Sequence, residues 1–151
     1  RSRVSHQVGV ASTGEPKQAL IVWAPPYEAV TRRGPWVYVS RSLADRLSDD
    51  ALAYVIAHEM AHHDLEHFSP IWVSARWMGN QPRLERQADL KALETLLAAG
   101  FDGAGALEAM DPAGWGPEPE PPPWPRSLLV QHPPMRERHA TLRAALDRLQ
   151  R

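Results

Sequence analysis

Two histidines four residues apart, His58 and His62, place the strongest constraint on the fold of this chain. They begin and end the segment HEMAH, which continues an apolar run that starts shortly after Ser48. Ser48 is a favourable N-cap, and the apolar spacing after it predicts a helix of about five turns that ends near His67. Residues four apart share one face of a helix, with their β-carbons about 5 to 6 Å apart. The two imidazoles can therefore bind one ion.

The composition restricts the metal that such a pair can hold. The chain has 151 residues and no cysteine, so a metal site must use His, Asp or Glu. Zinc suits two imidazoles, and catalytic zinc sites combine three protein ligands with a water, whereas structural sites are usually closed by four ligands. Glu59, beside the first histidine, is placed to act as the catalytic base that deprotonates this water. The segment therefore predicts a catalytic zinc site.

A second pair of residues four apart, Glu85 and Asp89, supplies candidates for the third ligand. Both lie in a predicted helix that starts at Pro82 and ends before Gly100. One carboxylate can complete the metal set while the other accepts the free ring N–H of a ligating histidine. We assign these roles to Glu85 and Asp89 respectively. Taken alone, the pair would be typical of a solvated helix face, and the assignment depends on its coupling to the two histidines.

The order of predicted elements indicates an α+β fold, mainly helical with a small N-terminal sheet. Short β-prone runs at residues 19–23 and 36–39 predict the sheet, and a short helix is expected at residues 71–78. We expect a single domain over residues 1–151. Its parts are a β-rich part at 1–40, a helical zinc-binding part at 41–110, a Pro-rich loop at 111–126 and a C-terminal helix at 127–151.

Charge and hydropathy exclude two other classes of protein. The 17 basic and 18 acidic residues give a formal net charge of -1, which provides no sustained basic field for nucleic acid. The longest apolar runs are shorter than the roughly 18 to 20 residues of a membrane span. We therefore expect no nucleic-acid partner and no transmembrane segment in this sequence. Membrane association through flanking regions stays open, since the sequence begins at Arg1 and its natural N-terminus is expected to have been processed or trimmed.

Three blocks of the sequence resemble the gluzincin metalloproteases. Within them the chain is similar to family forty-eight of the metallopeptidases, which includes HtpX-like, CaaX prenyl protease-like, Oma-like and BepA-like enzymes. The first block is WVYVSRSL, at residues 36–43, running into the HExxH helix. The second is ERQAD, at residues 85–89, and the third is His132-Pro133-Pro134 with Arg138 six residues after the histidine. Departures are the absence of paired glycines in residues 28–35 and His139 in place of an aliphatic residue.

The resemblance implies a zincin-like fold and peptide hydrolysis with one zinc ion per chain. By the same resemblance, His132 borders the cleft as a catalytic residue that hydrogen-bonds the substrate or the reaction intermediate, and Arg138 supports that element through a carboxylate. Substrate would be an unfolded or extended polypeptide that adds a strand to an edge strand at residues 36–39. The resemblance also suggests quality control at a membrane or in the bacterial envelope, with a periplasmic or membrane-associated location.

Other interpretations of these residues stay open. The chain could be a latent or inactive zinc-binding domain that acts as a regulated interaction module, or a structural helical module with a fortuitous motif. His63 and His67 lie off the face shared by His58 and His62, and are expected to be structural or solvent-exposed, with a site role for His67 as the alternative. The Pro-rich loop is a candidate lid over the cleft.

Overall fold

The structure, a computed structural model, describes residues 5–6, 18–22, 29–31, 36–67, 81–111 and 133–151. The described strands are β1 (Ser5–His6), β2 (Gln18–Val22), β3 (Ala29–Thr31) and β4 (Trp36–Ser40). The described helices are α1 (Arg41–Ala44), α2 (Asp49–Asp64), α3 (Gln81–Ala98), α4 (Ala104–Ala109) and α5 (Met135–Leu149). This mostly helical architecture with one small sheet agrees with the predicted α+β class.

The four strands form one sheet in the order β1-β2-β4-β3. β2 and β4 are parallel neighbours, and β3 pairs antiparallel with β4, with Val30 opposite Tyr38. The prediction that residues 36–39 form an edge strand is therefore wrong, because β4 has a partner on both sides. Sequence reasoning missed β3, since a strand of three residues is too short to show a period-two pattern. Within the described residues, β3 is the outer strand beside β4.

Helix α2 begins as its sequence predicts and ends earlier. The Ser48 hydroxyl accepts a hydrogen bond from the Ala51 backbone N–H at 3.2 Å, which caps the helix. The helix ends at Asp64, three residues before the predicted end at His67. Glu66 adopts a φ of 54°, a left-handed conformation that cannot continue a right-handed helix. The apolar pattern alone did not reveal this turn.

The other two long helices follow their predicted ranges closely. α3 begins at Gln81 rather than Pro82 and ends before Gly100, whose φ of 84° suits a glycine. α5 lies within the predicted C-terminal helical segment. The short helices α1 and α4 were not predicted, because four and six residues are too few to show a helical repeat.

The core lies between the sheet and the helices, and α2 packs against α3 over much of its length. Its buried apolar side chains include Val37 and Val39 of β4, Tyr54 and Ile56 of α2, Leu93 and Leu96 of α3, Leu107 of α4, and Leu142 and Leu146 of α5. This packing brings the HEMAH and ERQAD segments face to face. None of the helices in the described ranges combines the length and apolarity needed to cross a bilayer. The predicted helix at 71–78 and residues 112–126 of the Pro-rich loop lie outside the described residues.

Candidate metal centre

The two histidines of α2 point their Nε2 atoms toward one another. His58 and His62 are buried, at 7% and 8% exposure, and their Nε2 atoms are 3.2 Å apart. Their rings meet edge to face, with centroids 4.9 Å apart. The helix places both rings on one face because one turn separates them. Two imidazole nitrogens thus converge on a single point.

Glu85 of α3 completes a triangle with these nitrogens. Its Oε2 lies 3.4 Å from His58 Nε2, and its Oε1 lies 3.6 Å from His62 Nε2. His58, His62 and Glu85 each offer one ligand atom, and these three atoms lie within 4.8 Å of one another. Gln81, one turn earlier on α3, donates its side-chain N–H to Glu85 Oε1 at 3.2 Å and so orients the carboxylate.

The size of this triangle fits a tetrahedral cation. Zinc–ligand distances of about 2.1 Å in tetrahedral geometry place neighbouring ligand atoms about 3.4 Å apart. The observed separations are 3.2 Å between the two Nε2 atoms, 3.4 Å from His58 Nε2 to Glu85 Oε2 and 3.6 Å from His62 Nε2 to Glu85 Oε1. Two imidazoles and one carboxylate are also a ligand set that zinc accepts in catalytic sites. The residues present therefore fit zinc in both chemistry and spacing.

Asp89 holds His58 from the side opposite the triangle. Its Oδ1 lies 3.0 Å from His58 Nδ1 and accepts a hydrogen bond from the Tyr54 hydroxyl at 2.9 Å. Arg138 of α5 donates to both oxygens of Asp89, at 2.6 Å from Nη2 and 2.9 Å from Nε. The same Nη2 lies 3.8 Å from Glu85 Oε2. Arg138 thus joins α5 to Glu85 and Asp89 of α3.

The Asp89–Arg138 pair shifts the pKa of each partner toward its charged form. Burial favours the neutral carboxyl of Asp89, but the hydrogen bonds from Arg138 and His58 outweigh burial and hold its pKa well below the ordinary value. Burial likewise opposes the charge of Arg138, and hydrogen bonding to Asp89 raises its pKa above the usual range. Both groups are therefore charged at neutral pH despite their burial.

The surroundings of His58 favour positive charge. Burial lowers the pKa of this imidazole, but hydrogen bonds to Asp89 and Glu85 outweigh burial and raise it from 6.5 to about 9, against an opposing contribution from the charge of Arg138. The carboxylates that stabilise an imidazolium equally stabilise a bound cation, which competes with the proton for the ring nitrogen. The centre is thus electrostatically suited to a metal ion.

Four further residues considered in the sequence analysis are Glu59, His63, His67 and His132. Glu59 lies on α2 between the two histidines and is half-buried. His132 lies outside the described residues. His63 is half-buried, whereas His67 is buried at 1% exposure, so His67 is not the solvent-exposed residue that was one of its two expected alternatives. Its Nδ1 lies 2.9 Å from His62 Nδ1, next to the ligand triangle.

Sequence reasoning overlooked Tyr54 and Gln81, although their spacing carries a signal. Tyr54 precedes His58 by four residues, and Gln81 precedes Glu85 by four. Each therefore lies one turn before a proposed ligand on the same face of its helix. A search for polar residues one turn before each candidate ligand would have found both. The approach of Arg138 to Asp89 spans 49 residues and has no local signal.

Residues 3–74 match the family model described as Peptidase family M48, whose members are zinc-dependent peptidases. The match covers the sheet and α2 with its HEMAH segment, and it does not distinguish the subfamilies. The curated proteins contain no match to this chain. The family match and the cluster of His58, His62 and Glu85 agree, and both support the assignment of this chain to peptidase family M48.

Proposed function

We propose that this chain is a zinc metalloendopeptidase of zincin-like fold, with one zinc ion held by His58, His62 and Glu85. The observation that carries the proposal is the convergence of ligand atoms at the contact of α2 and α3. The Nε2 atoms of His58 and His62 are 3.2 Å apart, and the two carboxylate oxygens of Glu85 lie 3.4 Å from the first and 3.6 Å from the second. We further propose that residues 1–151 act as a single metalloprotease domain. The match to peptidase family M48 supports both the activity and a polypeptide substrate.

Glu59 is the proposed general base. A zinc ion held by His58, His62 and Glu85 would polarise the scissile carbonyl and lower the pKa of a water to about 7. Glu59 would accept a proton from the attacking water and deliver it to the leaving amine. Its half-buried position beside His58 supports this role. Asp89 faces Nδ1 of His58 and so keeps Nε2 directed at the metal position. Arg138 keeps Asp89 ionised, so both residues act through His58 rather than on the substrate.

Substrate binding is proposed to occur by strand addition at β3 rather than at β4. β3 is one of the two outer strands of the described sheet, and it packs against α2, which carries the histidines. Backbone hydrogen bonds to an added strand depend little on side chains, which suits unfolded or extended polypeptides of varied sequence. His132 is proposed to border the same cleft and to hydrogen-bond the substrate. A role in membrane or envelope quality control is a further proposal that depends on the resemblance to family members.

Substitution of Glu59 by glutamine tests the mechanism. The variant is expected to bind zinc as wild type does and to lose about 10²- to 10⁴-fold of its peptidase rate, since an amide cannot accept the proton. Rates would be measured on unfolded casein, with elemental analysis for zinc. Glu94→Gln, an exposed position on α3, is the matched control and should cleave at the wild-type rate.

Three outcomes would contradict the proposal in different ways. Cleavage by Glu59→Gln at the wild-type rate would remove Glu59 as the base. A wild-type protein that binds zinc but shows no chelator-sensitive cleavage would favour the alternative, a latent zinc-binding module. A protein that binds no zinc would leave only a structural helical module.

A further inference from the structure

The turn that ends α2 has the hydrogen bonds of a Schellman motif. The His67 backbone N–H donates to the carbonyl of His62 at 2.9 Å, and the Glu66 N–H donates to the carbonyl of His63 at 3.0 Å. Glu66, with its φ of 54°, occupies the left-handed position of this motif, where glycine is usual. The motif brings the residue after the left-handed one back over the last turn of the helix, so His67 meets His62.

A polar contact replaces the apolar contact that usually accompanies this motif. The His67 side chain is buried at 1% exposure, and its Nδ1 lies 2.9 Å from His62 Nδ1. The two rings meet edge to face, with centroids 5.0 Å apart and planes at 68°. At this distance one nitrogen donates a hydrogen bond and the other accepts it.

We propose that His67 is a positioning residue that accepts a hydrogen bond from His62 Nδ1–H and so directs His62 Nε2 into the metal triangle. This inference rests on the proposed metal centre. A neutral imidazole that binds a metal through Nε2 carries its proton on Nδ1, which makes His62 the donor. His67 must then be neutral, with its own proton on Nε2.

The two histidine ligands thus have partners of different charge. His58 Nδ1 faces the Asp89 carboxylate at 3.0 Å, whereas His62 Nδ1 faces a neutral imidazole. A carboxylate raises the basicity of a ligating histidine more than a neutral acceptor does. His67 therefore fixes the ring of His62 without adding negative charge to a centre that already contains Glu85 and Asp89. The left-handed turn at Glu66 is the structural cause of this arrangement.

Three variants separate the hydrogen bond from the packing. His67→Leu fills the space without an acceptor, and His67→Asn can place an amide oxygen near the position of Nδ1. Loss of such an outer partner typically weakens metal binding by about 10- to 100-fold. We expect this loss in the zinc Kd of His67→Leu, and a Kd for His67→Asn close to wild type. His63→Leu, the neighbouring histidine outside the triangle, is the control and should bind as wild type does.

The zinc Kd would be measured by competition with a chelating dye, together with the zinc dissociation rate. A Kd for His67→Leu equal to that of wild type would overturn the proposal, as would equal weakening in His67→Asn. Wild-type protein without zinc affinity would instead refute the proposed function itself. ¹⁵N NMR of the zinc-loaded wild type provides a test that needs no variant. It should show His62 protonated at Nδ1 and His67 unprotonated at Nδ1, and a proton on His67 Nδ1 would overturn the proposal.

Discussion

Asp89 contacts three other polar side chains near the candidate centre. It accepts hydrogen bonds from Tyr54 and from two nitrogens of Arg138, and it faces Nδ1 of His58. Because Asp89 and Arg138 are both buried, each charge depends on the other for compensation. Removing one partner leaves an unpaired charge in the core, which costs more than the pair itself contributes.

Asp89→Asn should therefore destabilise the protein strongly. The variant removes the closer anionic partner of the buried Arg138 guanidinium and leaves only Glu85, whose Oε2 lies 3.8 Å away. Breaking a buried pair costs about 3 to 5 kcal/mol. Urea denaturation at pH 7 would measure the free energy of unfolding. The matched control is Glu137→Gln, which removes the exposed pair between Arg86 and Glu137 and should cost under about 1 kcal/mol. Equal decreases in the free energy of unfolding for Asp89→Asn and Glu137→Gln would contradict this account.

The cost of Asp89→Asn should also depend on pH. The pKa of Asp89 is lowered in the folded state relative to its ordinary value of 3.8, so its contribution is fully present above that value. The contribution is lost as pH falls through the lower folded-state pKa. The difference in unfolding free energy between wild type and variant should shrink below about pH 4. A difference that stays constant into that range would argue against an ionised Asp89.

Zinc binding should release a proton from His58. In the metal-free protein the pKa of His58 is raised to about 9, so the imidazole is protonated at pH 7.5. A metal at Nε2 requires the neutral ring, so binding at pH 7.5 should release about one proton from this residue. Titration calorimetry in buffers of different ionisation enthalpy counts these protons. Release should vanish as pH rises above about 9, and no release at pH 7.5 would contradict the contact with Asp89 and Glu85.

At the scale of elements, the centre depends on two helices that each carry a ladder of polar residues at four-residue steps. Tyr54, His58 and His62 follow one face of α2, and Gln81, Glu85 and Asp89 follow one face of α3. The ladders interlock through the contacts of Asp89 with Tyr54 and of Glu85 with both histidines. Their relative position therefore determines the size of the triangle, and packing against α4 and α5 helps to maintain it.

Gly105 allows α4 to approach the first turn of α2 closely. A Cβ atom at Gly105 would lie 2.6 Å from the backbone oxygen of Asp50, which cannot move without disturbing the start of α2. Gly105→Ala should cost about 1 to 3 kcal/mol or more through overpacking. At Gly103 a Cβ would meet the end of the flexible Leu146 side chain instead, so Gly103→Ala should cost less. Thermal denaturation compares the two variants. A larger fall in melting temperature for Gly103→Ala than for Gly105→Ala would contradict the packing described here.

Sequence patterns predicted the long helices and the strands β2 and β4 well, but missed β3 and the short helices α1 and α4. α2 and α3 carry N-terminal and C-terminal signals in the residues themselves, such as the Ser48 cap and Gly100. β3 and the left-handed turn at Glu66 depend on pairing and on a conformation that glutamate rarely adopts, so no local pattern indicated them. For this reason the edge strand and the end of α2 were both placed wrongly.

At the scale of the whole molecule, the centre draws residues from three helices that lie far apart in the sequence. His58 and His62 come from α2, Glu85 and Asp89 from α3, and Arg138 from α5. The spacing within each helix could be read from the sequence, which is why the four acidic and histidine residues could be proposed together. The approach of Arg138 to Asp89, and of His67 to His62, required the folded chain. The ligand roles themselves stay predictions.

A crystal structure of the zinc-treated protein, with diffraction data on both sides of the zinc absorption edge, tests the central claim most directly. The account predicts one anomalous peak per chain, about 2.0 to 2.2 Å from Nε2 of His58, Nε2 of His62 and a carboxylate oxygen of Glu85. A peak coordinated by other residues, or the absence of any peak at the contact of α2 and α3, would contradict it.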